Sequence, residues 1–113
     1  MTILSEVKKG LPIPEDNPDF DDEIMHLIYG AFFNLKQLGV GPSTTFAVTK
    51  DSEWDEFICK EDAKDAVKMY VILKVKLLFD PPQNGSALEN LKELVAESEW
   101  RLNVAKDRYP EEE

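Results

Sequence analysis

Apolar residues recur at three- and four-residue steps over three long stretches of the chain, a spacing that gathers them on one side of an α-helix. In the first stretch Phe20, Ile24, Leu27, Ala31, Leu35 and Leu38 line one face and Ile28 and Phe32 widen it, which predicts a helix over residues 20–38. Asp19 stands where an N-cap belongs, and Asp21, Asp22 and Glu23 put negative charge in the first turn, where the helix dipole favours it. Gly39, Gly41 and Pro42 then end the helix.

The second stretch, residues 62–79, keeps Ala63, Ala66, Val67, Tyr70, Val71, Leu77 and Leu78 at helical steps. Residues 71–77 are also rich in β-branched side chains and alternate in part, as a strand does. The lack of any breaker between Asp62 and Phe79 favours one helix of about five turns over a strand. It is apolar nearly all round apart from Lys68, Lys74 and Lys76, the pattern of a central helix touched on several sides. Asp80-Pro81-Pro82 stops it and Asn84-Gly85 turns the chain.

The third helix is expected over residues 86–104, opened by Ser86 and Glu89 as a capping box and packed through Leu88, Leu91, Leu94, Val95 and Leu102. Glu97 and Arg101 are four apart, the spacing of a surface ion pair. A shorter helix near residues 53–58, capped by Asp51 or Ser52, presents Trp54, Phe57 and Ile58 as a lid. Residues 44–49 are β-branched and extended but have no evident pairing partner. The expected fold is therefore all-α, a small bundle of three main helices and one short one.

Residues 1–19 read as a flexible N-terminal arm, because Gly10, Pro12, Pro14 and Pro18 interrupt it. Ile3, Leu4 and Val7 share a side there, yet a helix this short needs a docking surface, on its own core or on a neighbour. Residues 20–105 form the single domain, and residues 106–113, with Pro110 and three closing glutamates, an acidic disordered tail.

Composition narrows the function. The chain has 113 residues, 42% hydrophobic and 32% charged, enough for one core and no second domain. Its formal charge of -10 repels nucleic acid and anionic lipid, which argues against specific nucleic-acid binding. Cys59 is the only cysteine, so no internal disulfide forms, and the N-terminal residues lack the basic start and apolar run of a leader. No stretch has the length of a membrane span.

The candidate chemistry is thin. His26, the only histidine, has no nucleophile at helical spacing. The acidic run Glu15, Asp16, Asp19, Asp21, Asp22 and Glu23 lacks the order of a calcium loop, and Gly39-Val40-Gly41-Pro42 lacks the Lys-Ser/Thr ending of a phosphate loop. Lys68, Lys74 and Lys76 beside Tyr70 form at most a weak nucleic-acid stripe and are of a kind that pairs with acidic neighbours. No enzyme, metal or cofactor is expected.

What stands out is a surplus of apolar faces. Tyr29 and Phe33 on the first helix, and Trp100 and Val104 on the third, point away from the expected core stripes. Two arrangements cover such faces: a second packing layer inside the chain, for which Trp54 and Phe57 are available, or a subunit interface.

Three segments taken together carry a family resemblance: the helix from Met25-His26 through Leu35 to Leu38-Gly39-Val40-Gly41, then Leu73-Lys74-Val75-Lys76-Leu77-Leu78-Phe79-Asp80-Pro81-Pro82 with the preceding Tyr70-Val71-Ile72, then Glu99-Trp100-Arg101-Leu102-Asn103-Val104. Their order and spacing, over about residues 23–104, resemble the small head-tail connectors, or head-completion adaptors, of long-tailed bacteriophages and prophages. The resemblance implies a structural protein of the virion, in the host cytoplasm during assembly. It further implies a homo-oligomeric ring beneath the portal that joins it to tail-side proteins and lets DNA pass through its centre. The candidate interface of that ring is Tyr29 and Phe33 of one subunit against Trp100 and Val104 of the next. A competing expectation is an acidic phage-encoded inhibitor or regulator of a host protein, which needs a long continuous negative surface.

Overall fold

The computed structural model describes residues 2–14, 16–40, 47–57 and 61–105. Four α-helices carry it: α1, Ile3–Lys9; α2, Asp21–Leu38; α3, Glu61–Phe79; and α4, Gly85–Ala105, with one 3-10 turn, Trp54–Glu56, between α2 and α3. Among the described residues there is no strand. The ambiguous run at 71–77 is helical, because an unbroken helix lets Val67, Tyr70, Val71 and Val75 be buried on the sides of α3 that meet its neighbours. Alternation over seven residues is too short to outweigh that continuity.

α3 is the centre of the molecule: α2 and α4 flank it, and α1 and the 3-10 turn also pack on it. The core joins Ile24, Ile28, Ala31, Phe32 and Leu35 of α2 to Ala63, Val67, Tyr70, Val71 and Val75 of α3 and to Leu91, Val95 and Leu102 of α4. Each fully buried aliphatic or aromatic side chain contributes about 1.5–3 kcal/mol, so α3, apolar on several sides, anchors the other helices. At one end of the bundle Phe20 meets Phe79 edge-on, centroids 5.6 Å apart.

The arm expected over residues 1–19 is different in the structure. Thr2 caps α1 by accepting the Ser5 N–H, and Ile3, Leu4 and Val7 are buried in the common core together with Leu11. α1 docks on its own chain because its apolar side faces α2 and α3 and its polar side chains find fixed partners. Lys8, 5% exposed, places Nζ 2.7 Å from the Asp21 carboxylate and 2.9 Å from the Asn17 carbonyl. Glu6 accepts the indole N–H of Trp54 at 2.9 Å and lies 3.5 Å from Lys68 Nζ. The Ile3 N–H donates to the Ser52 carbonyl, and Gly10 lies so close to α3 that a Cβ there would stand 3.2 Å from Ile72.

Helix ends depart from expectation in three places. α2 begins after Phe20, with no side-chain cap, and Asp19 lies one residue too early. α4 is capped by Asn84, whose side-chain oxygen accepts the Ser86 and Ala87 N–H groups, a role expected of Ser86. The short element is a 3-10 turn preceded by Glu53, whose N–H donates to Glu56; Ser52 is buried and accepts the Thr49 N–H. At the end of α2, Gly39 takes the left-handed conformation at φ 85° and Val40 donates back to Leu35, as expected of a glycine stop. Gly41, Pro42, Ile58, Cys59, the first half of the extended run at 44–49 and the tail at 106–113 lie outside the described residues.

Candidate assembly surfaces

On α2, Tyr29 and Phe33 are one turn apart and expose 52% and 54% of their surface. On α4, Trp100 and Val104 are likewise one turn apart and expose 64% and 59%. The cause is the width of the apolar stripes: α2 and α4 each carry more apolar positions than a helix can turn toward α3. All four residues thus lie at the surface, in two patches on two different helices. Trp54 and Phe57 do not cover them. Both are buried against Phe32, Phe57 edge-on with centroids 4.7 Å apart and Trp54 tilted at 6.1 Å.

Leu94, expected in the core, is half exposed, as are Met69 and Leu78. Leu94 sits next to the buried Val95, and the rotation of α4 that buries Leu91, Val95 and Leu102 carries it outward. Phe20, at the start of α2, is also more exposed than its place in the stripe suggests. Beside the Trp100 patch Arg101 donates to Glu97 at 2.8 Å, the expected surface pair.

Between the two patches lies a polar node that the sequence does not advertise. The Tyr70 ring is fully buried in α3, and its hydroxyl donates to Glu99 Oε2 of α4 at 2.8 Å while accepting from Asn34 Nδ2 of α2 at 3.4 Å. Lys74, one turn along α3, stands 3.9 Å from the same Glu99 oxygen. Burial, and then the neighbouring Glu99 carboxylate, push the Tyr70 phenol above its ordinary value, while the Asn34 hydrogen bond opposes them. The one available signal was Tyr70 on a helical face of alanine and valine, since a buried tyrosine hydroxyl requires a partner.

The other candidates are accounted for by surface chemistry. Lys68 and Lys74 pair with Glu6 and Glu99, the alternative to a nucleic-acid stripe. His26 is exposed on α2. The Lys64 side chain, donating to Asp55, holds that exposed carboxyl below its usual range. With Glu6, Glu53, Trp54 and Lys68 these two residues line a shallow open depression whose charges offset one another. Among the described residues no group of three or more His, Cys, Asp or Glu converges as metal ligands do, and no helix is long and apolar enough to cross a membrane.

The architecture is thus a helical scaffold with apolar patches on its flanks. A family model described as phage connector protein matches residues 3–109, nearly the whole chain and including α1. Searches of the curated proteins and of the solved structures return no match. The chain belongs to the phage connector protein family and is an all-helical structural protein of the bacteriophage head-tail connector.

Proposed function

We propose that this chain is the subunit of a closed homo-oligomeric ring that sits in the virion between the portal and the tail, assembled in the host cytoplasm, with portal and tail-side proteins above and below it. Tyr29 and Phe33 of one subunit pack against Trp100 and Val104 of the next. The observation that carries this reading is the pair of exposed patches on α2 and α4, each more than half exposed beside a core that is already filled. A head-to-tail contact requires two different surfaces on every subunit, and repetition of that contact closes a ring when the rotation from one subunit to the next divides a full turn. Aromatic residues at the centre of such contacts commonly dominate their energy. DNA passes through the ring without specific contacts, in keeping with a net charge of -10.

The acidic-inhibitor alternative finds less support. Cations are interleaved with the acids in pairs such as Lys50–Asp22, Lys68–Glu6, Lys74–Glu99 and Arg101–Glu97, which breaks up the continuous negative surface a nucleic-acid mimic needs.

Light scattering over a concentration series, with and without purified portal protein, tests the ring. The expected result is a large closed oligomer of the wild-type chain that Phe33→Ala and Trp100→Ala each dissociate without loss of helical circular dichroism. A chain that stays monomeric with portal present, or an oligomer indifferent to both substitutions, would refute this assignment of the interface.

A further inference from the structure

We infer that the Tyr70 hydroxyl is the positioning group that fixes the two exposed apolar faces relative to each other; the assembly half of this inference rests on the interface reading above. α2 and α4 each pack against α3 and hardly against one another, so their mutual spacing depends on what ties each to α3. Tyr70 reaches both. Its hydroxyl accepts from Asn34 of α2 and donates to the Glu99 carboxylate of α4, and Lys74 sits close to the same carboxylate. Asn34 is the residue after Phe33, and Glu99 is the residue before Trp100. Any rotation or slide of either helix that breaks the node therefore moves an interface aromatic with it.

The node suits this role. The bond to Glu99 has an ionised acceptor, and the donor lies in the low-dielectric interior, two conditions that strengthen and straighten a hydrogen bond. Apolar packing alone is a poorer ruler, because ridges on helices slide by small steps with little loss. A closed ring demands a good ruler: an error in the angle between the two faces of one subunit accumulates around the ring and prevents closure. Fixing that angle in the free subunit removes part of the ordering cost of association.

The test uses the full chain in a Cys59→Ser background with spin labels at Gln37→Cys on α2 and Asn103→Cys on α4, both exposed positions, diluted into unlabelled protein. The Tyr70 chain is expected to give a narrow distance distribution. Tyr70→Phe and Glu99→Ala broaden or displace it, whereas Glu99→Gln, which keeps an acceptor for the phenol, stays close to it. In light scattering Tyr70→Phe weakens self-association about tenfold with helical content unchanged. An unaltered distribution in Tyr70→Phe overturns the inference. A broadened distribution with unaltered self-association, in a chain that Phe33→Ala and Trp100→Ala do dissociate, overturns its assembly half. If those two substitutions leave assembly intact while the distribution broadens, the interface reading fails and the positioning role stands. Should Tyr70→Phe lose helical content, the contrast between Glu99→Ala and Glu99→Gln decides the matter.

Discussion

Tyr70 shows how one side chain ties stability to pH. Its phenol is buried and donates to a carboxylate, so the folded protein strongly disfavours the phenolate. In the unfolded chain the same group titrates at about 10. Above that pH the unfolded state binds fewer protons than the folded one, so stability falls as pH rises, whereas below it the contribution is fully present. Thermal melts between about pH 9 and pH 11 should therefore show a steeper loss for the wild type than for Tyr70→Phe. Parallel curves would mean that the phenol ionises in the folded state as readily as in the unfolded one. At neutral pH, where the contribution is fully present, Tyr70→Phe should be less stable than the wild type by about 1.5–3 kcal/mol, the usual worth of a hydrogen bond to a charged group.

At the scale of elements, α1 is the most informative. Seven residues cannot hold a helix alone in water, so α1 exists because the core receives Ile3, Leu4 and Val7. Ile3→Ala deletes a fully buried side chain and should cost about 2–4 kcal/mol in urea unfolding. Cleavage by a protease in the stretch between α1 and α2 should become faster in the same variant. A loss under 1 kcal/mol would mean that α1 is held by its polar ties alone. The main helices were legible because their apolar steps persist for four or five turns, long enough for periodicity to outweigh local propensity. α1 was half legible. Its apolar side was visible, but docking on this chain depends on Glu6 meeting Trp54 and Lys68, and on Lys8 meeting Asp21, contacts between residues far apart in sequence. Caps were the weakest reading, because Asp19, Ser86 and Ser52 are good capping residues displaced by one or two positions from the true ends. Leu94 was misplaced for a related reason: a stripe read from spacing does not determine how far the helix is rotated about its axis. The exposed residues Tyr29, Phe33, Trp100 and Val104 were legible as apolar positions off the main stripe, whereas the Tyr70 node was not, since only the fold brings Asn34, Tyr70 and Glu99 together.

For the whole molecule the balance lies between apolar attraction at two patches and like-charge repulsion between subunits. Each chain carries a formal charge of -10, and in the proposed ring neighbours would hold those charges within a few tens of ångströms. Repulsion over such distances is long-ranged at low salt and is cut off as the Debye length shrinks to about 10 Å at 0.1 M and about 3 Å at 1 M. Burial of Phe33 and Trp100 between subunits is not screened in this way and is, if anything, favoured by excluded salts such as sulfate. Self-association through these patches should therefore strengthen as salt rises, which sedimentation velocity at a fixed protein concentration would read as a shift from slow to fast species. An interface held by ion pairs would respond in the opposite sense, because the same screening would weaken the attraction that forms it. The sign of the salt effect thus separates an aromatic contact between α2 and α4 from a charged one, and Trp100→Ala should abolish the salt-driven shift only if the aromatic contact is the one that forms.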